Sequence, residues 1–270
     1  MKKIKSKLDE IYKKYNKKEF IHPDPLEFLN KYEDVRDREI VGLIASSLAF
    51  GRVAQILLKT KVVLDILGDK PSIYLKNTTR KKIKADFKGY QYRFVNDNHM
   101  ISLLITLKKI IKEYGDIYSC FVNGFSKNDE TLIPALDNFS KELDLFGYDG
   151  GILIPYPSKG SACKKFNLFL RWMVRSDDVD PGGWDFPKSK LVIPLDTHMM
   201  RFASDLGFTK RKQANLKTAL EITEKFRKIN HRDPVKYDFA LTRYGIREEL
   251  THEDLIESLF NLKDAKPLFP

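Results

Sequence analysis

Apolar residues recur along this chain at intervals of three and four far more often than at alternate positions, so helices are predicted almost throughout. Ile4, Leu8, Ile11, Tyr12 and Tyr15 trace one face of a first helix whose other face is rich in lysine. His22-Pro23-Asp24-Pro25 breaks the chain, and Asp24 caps a short helix through Leu26, Phe28 and Leu29. The helix predicted over 34–50 is apolar on most sides at Ile40, Val41, Leu43, Ile44, Ala45, Leu48 and Ala49, which places it in the core. Gly51 ends it, and another follows over 53–67, closed by Gly68 and Pro71. Further helices are predicted over 100–114, 116–125 and 129–145. The β-branched runs are too short for a sheet, so the fold class is all-α.

The second half of the chain gathers more chemistry. Phe166, Leu168, Phe169, Leu170, Trp172, Met173 and Val174 cover most of the circumference of a helix over 161–175. Lys164 and Lys165 lie in its first turn, where the helix dipole disfavours cations. Desolvation there lowers a lysine pKa toward the neutral, nucleophilic amine; solvated lysines in the same place reach for a phosphate. After a loop rich in Asp and Gly, Asp196 follows the extended run Leu191-Val192-Ile193-Pro194. It precedes Met199, Met200, Phe202, Ala203 and Leu206 at helical spacing, the position of an N-cap. A carboxylate fixed by helix amides stays ionised and well directed, which also suits a transition state gaining positive charge. Another helix is predicted over 213–229, and Asp233-Pro234 reads as the start of one running through Tyr244. Leu255, Leu259 and Leu262 mark a terminal helix and tail.

Ile193-Pro194-Leu195-Asp196-Thr197-His198-Met199-Met200-Arg201, followed by Leu206-Gly207-Phe208, resembles the V-D-T-H-V-x-R … L-G-L segment of the helix-hairpin-helix DNA glycosylases. Within this endonuclease III-like superfamily, the order lysine, apolar helix, loop, aspartate is similar to the archaeal 8-oxoguanine glycosylase branch. The resemblance implies a two-lobed helical fold with a cleft, lobes of about 30–150 and 151–250, and one glycosylase-like unit over 1–270. It implies base excision from damaged double-stranded DNA, with or without lyase activity, by Lys164 (Lys165 in reserve) and Asp196. Lys159, Lys165, Arg52 and Arg201 become candidate phosphate contacts, and Phe50, Trp172 and Trp184 candidates to stack on a flipped base. Phe50, Arg52 or Gln55 stands in for the glutamine those enzymes insert into the duplex, and His198 either contacts DNA or orients Asp196. The hairpin Leu-Pro-Gly-x-Gly is replaced by Ser158-Lys159-Gly160-Ser161-Ala162-Cys163. A non-catalytic nucleic-acid-binding protein on the same fold is the alternative.

The chain as a whole is also similar to a microbial family with a domain of unknown function. Glu39-Ile40-Val41-Gly42-Leu43-Ile44-Ala45, Ala49-Phe50-Gly51-Arg52, Arg171-Trp172-Met173-Val174-Arg175 and the stretch from Asp233 to Leu241 carry that similarity.

Charge supports a polyanionic partner: 48 Lys and Arg against 37 Asp and Glu leave +11 at neutral pH. Cations and aromatics interleave at Thr79-Arg80-Lys81-Lys82-Ile83-Lys84 and at Lys88-Gly89-Tyr90-Gln91-Tyr92-Arg93-Phe94, which suits phosphate contact and base stacking as well as a solvated helix face. Two cysteines, Cys120 and Cys163, make neither a disulfide framework nor a ligated cluster. The five histidines lack zinc-site spacing, and Asp177, Asp178 and Asp180 read as hard-cation ligands or, more simply, as turn and capping residues. No cofactor is expected, no apolar run suggests a membrane span, and a cytoplasmic monomer is the expectation.

Overall fold

The computed structural model describes residues 2–149 and 151–260. Among the described residues it is mostly helical, with one short hairpin. No helix among the described residues is long and apolar enough to cross a membrane. The chain forms two compact units: a middle unit, Asp24–Ser158, and a terminal unit made of Met1–Pro23 with Lys159–Pro270.

Helix α1 (Lys2–Tyr15) opens the terminal unit, and the apolar spacing holds: Ile4, Leu8, Ile11 and Tyr15 are buried. In the middle unit, Asp24 accepts from the Leu26 amide and starts a 3-10 turn over Pro25–Lys31. Helix α2 (Val35–Ser47) follows, with a buried run from Glu39 to Ser47 that makes it the axis of this unit's core. It stops before Phe50, because Gly51 takes φ +97° and turns the chain. Helix α3 (Val53–Leu67) ends at Gly68 as predicted, and α4 (Pro71–Asn77) and α5 (Arg80–Asp86) are short.

Strands β1 (Gln91–Tyr92) and β2 (Val95–Asn96) form a two-stranded hairpin that the periodicity does not announce. Asn96 then caps α6 (Asp97–Tyr114) in a reciprocal box with His99. Helices α7 (Ile117–Asn123) and α8 (Ile133–Leu145) complete the unit, Pro134 delaying the start of α8 beyond the expected 129. Buried Glu39 accepts from the amides of Ile117 and Tyr118 and so fixes α7 against α2.

The terminal unit continues with α9 (Lys164–Val174), α10 (Thr197–Asp205), α11 (Leu216–Ile229), α12 (Asp238–Ile246) and α13 (His252–Phe260). Helix α1 packs against α12 and α13. Leu262, part of the expected tail, lies outside the described residues. One boundary needs correction. Asp233 does not cap a helix, because residues 234–237 form turns and α12 begins only at Asp238. The Asp233 carboxylate lies instead 3.2 Å from Arg175 Nε.

Candidate active site

The entry to α9 is fixed by a short clip. Ser161 bridges Asn215, the Leu216 amide donates to the Gly160 carbonyl at 3.0 Å, and Gly160 takes φ +79° to allow the turn. Cys163 occupies the left-handed region at φ +50° and offers the helix no side-chain cap. Buried Asn167 reaches back to the Ala162 carbonyl at 3.1 Å, tying the loop to the first turn of the helix. The single-glycine stretch is thus built as a brace between α9 and α11. It presents Lys164 and Lys165 at the start of α9.

Asp196 caps α10, its Oδ1 accepting from the Met199 amide at 2.8 Å. The extended run before it is buried from Leu191 to Leu195, and the Ile193 amide donates to Thr223 Oγ1 of α11 at 3.0 Å. Two independently anchored elements therefore meet. Lys164 Nζ lies 3.9 Å from Asp196 Oδ2, an ion pair too long for a hydrogen bond, with both groups partly open to solvent. Lys165 is more enclosed. Burial, with the charge of Lys164 next to it, pulls its pKa down to about 8.

The other end of α9 is organised around arginine. Arg171 Nη1 meets Asp238 Oδ2 at 2.5 Å and its Nη2 lies 3.2 Å from Asp180 Oδ1, with all three residues buried. Arg175 reaches Asp177 at 2.7 Å and Asp180 at 3.3 Å, besides Asp233. Asp177 also accepts from the amides of Val179 and Asp180, the turn role expected of it, so Asp177 and Asp180 are committed to arginines. The loop returns along the helix end, where the Gly182 and Trp184 amides donate to the carbonyls of Trp172 and Met173. Asp238 is raised to about 6 by burial, against the pull of Arg171, and the charge of Asp196 adds to the rise. The charge of Asp196 is thus felt at the arginine end of the helix. Among the described residues, no group of three or more His, Cys, Asp or Glu side chains is arranged to hold a metal ion.

Several sequence candidates fall elsewhere. Trp172 is fully buried, and Trp184 is 4% exposed with its ring edge-on to Phe169 at 5.0 Å. Both are core residues, which corrects the expectation that they stack on a base. Among the described residues, Asp196 accepts from Met199 and not from His198, whose ring lies against Gly245, where a Cβ would come within 2.1 Å of Nδ1. His198 lines a cavity of about 220 Å³ with Tyr244 and His252, and exposed Arg201 pairs with Glu253 at 3.3 Å. Lys159 closes a 3-10 turn over Pro157–Lys159. Half-buried Phe50 and exposed Arg52 and Gln55 belong to the middle unit. Sequence reasoning missed the arginine network, although both arginines stand in the quoted stretch Arg171–Arg175; two arginines inside an otherwise apolar helix were the available signal.

A family model described as "Protein of unknown function (DUF2400)" matches residues 24–247. The chain belongs to this family. The matched region runs from the Asp24 cap through α12, and so includes Lys164, Lys165, Asp196, both arginines and the β1–β2 hairpin. No curated protein matches the chain, and no solved structure does.

Proposed function

We propose that this protein is a DNA-repair N-glycosylase with lyase capacity, acting on a nucleotide flipped out of the duplex. The observation that carries the reading is the approach of Lys164 Nζ to Asp196 Oδ2 at 3.9 Å from two separately anchored helix starts. A reacting carbon placed beside such a pair can stand within about 3–3.5 Å of both the amine and the carboxylate. The Lys164 amine, once its proton has passed to a neighbouring base, attacks the anomeric carbon of the sugar, and the bond to the damaged base breaks, its electron pair leaving with the base. Asp196 stabilises the positive charge that develops on the sugar and accepts the proton released as the amine becomes a Schiff base. Lys165 supports the chemistry: with a pKa of about 8 it is substantially neutral just above physiological pH and can take the proton that Lys164 must lose. The net charge of +11 favours the polyanionic substrate.

A second reading, nucleic-acid binding without catalysis, draws on the replacement of a Gly-x-Gly hairpin by the single-glycine brace Ser158–Cys163. Borohydride trapping separates the two. Wild type, Lys164→Gln, Lys165→Gln and Asp196→Asn are incubated with duplexes holding an abasic site, 8-oxoguanine or uracil. The proposal expects a covalent adduct that Lys164→Gln abolishes and Lys165→Gln only slows. Binding without any adduct would sink the enzyme reading and leave the second.

A further inference from the structure

The middle unit carries a hairpin tip that stability alone would not select. Strands β1 and β2 are joined by two residues, Arg93 and Phe94, with Tyr92 opposite Val95. Two-residue hairpin loops need positive φ, which glycine and asparagine accept most readily. Here a bulky Arg93 takes φ +50°, and the residue after it is a phenylalanine left 71% exposed. A strained backbone beside an uncovered ring is an observation that points to function rather than to folding.

The tip is braced from behind. The Tyr92 hydroxyl donates to the Phe50 carbonyl, the two rings lie 5.0 Å apart, and Gln91 Nε2 donates to the Arg93 carbonyl at 2.6 Å. Gly51 makes the close approach possible, since a Cβ there would stand 2.5 Å from Arg93 Nη1. The guanidinium consequently reaches two rings, 6.0 Å from the centre of Phe50 and 5.6 Å from that of Phe94. Upstream, Arg80, Lys81, Lys84 and Lys88 are exposed, while Asp86 is engaged by Lys82 and Tyr74 and Asp97 by the amides of Gly89 and Asn98. The local charge is thus positive, and the carboxylates are already occupied.

We infer that the Arg93–Phe94 tip is a base-stacking contact for nucleic acid, with Phe94 and the Arg93 guanidinium lying on an unpaired base and the cations around α5 on the adjoining phosphates. An aromatic ring beside a guanidinium stacks on any base, and flanking lysines add salt-dependent affinity. This rests on the nucleic-acid reading of the preceding subsection and supplies a stacking surface that buried Trp172 and Trp184 do not.

The test uses the full chain with a single-stranded oligothymidylate and a duplex containing an abasic site, at low salt. Because both native tryptophans are buried, Phe94→Trp introduces an exposed fluorophore, and its emission is expected to change on saturation with either probe. Phe94→Ala is expected to weaken binding about 5- to 150-fold, the range of one lost base stack. Arg93→Gly relieves the left-handed backbone, so it is expected to weaken binding while holding or raising the thermal midpoint. That combination separates a lost contact from a damaged fold. Wild-type binding that Phe94→Ala leaves unchanged, with a silent Trp reporter, would overturn the inference while the trapping result at Lys164 stands. Absence of wild-type binding to both probes would overturn the inference and the nucleic-acid reading together.

Discussion

At its C-terminal end α9 holds Arg171 and Arg175, 2% exposed each, facing Asp177, Asp180, Asp233 and Asp238. At its N-terminal end it holds Lys164 and Lys165, partly open, with one carboxylate 3.9 Å from the first. Arginine does not titrate, and its planar fork can meet several oxygens at once, which suits a buried cluster to a structural role. Lysine, unlike arginine, can lose its charge when desolvated, and burial together with the charge of Lys164 lowers the pKa of Lys165. The same helix therefore carries a buried arginine–carboxylate network at one end and a more open lysine pair at the other.

The contrast breaks most visibly at Arg171. Arg171→Leu leaves Asp238 buried without its cation and Asp180 with Arg175 alone, and chemical denaturation should show a loss of about 3–5 kcal/mol; a loss below about 1 kcal/mol would mean that the network is not structural. The next effect depends on pH. Lys165 has a folded pKa of about 8, below its ordinary 10.5, so the unfolded chain binds more protons between those values and stability should rise with pH across that window. Lys165→Met should remove this slope and stabilise the protein by about 1–3 kcal/mol below pH 8, where the full cost applies. Asp196→Ala removes a helix cap at about 1 kcal/mol, whereas Asp196→Asn keeps the cap and should be nearly neutral in thermal melts while impairing any adduct. Smallest in stability is Lys164→Gln, under about 1 kcal/mol for a partly exposed pair, yet it should abolish trapping.

What could be read in the sequence follows from the range of each interaction. The limits of α3, the Asp24 cap and the Asp196 cap are local events, decided by residues a few positions apart, and the apolar spacing gives them directly. The approach of Lys164 to Asp196 was reached through motif order, not through periodicity. Arg171 and Asp238, by contrast, meet across a long stretch of chain. Nothing near Asp238 records that partner, and Asp233-Pro234 imitates a helix start so well that local reasoning places α12 too early. The hairpin tip escaped for a related reason: its loop lacks the glycine or asparagine that signals such turns, because the bracing comes from Phe50 and Gly51.

The split of the terminal unit across the sequence sets an order of events during synthesis. Helix α1 leaves the ribosome before the middle unit, but the helices it packs against, α12 and α13, are translated after it. The whole of Asp24–Ser158 is made in between as one continuous stretch, free to complete its core while Ile4, Leu8 and Ile11 still await theirs. A nascent chain halted before Asp238 thus holds α1 without the helices that cover its apolar face, a natural handle for the chaperones and proteases that sort unfinished protein from finished.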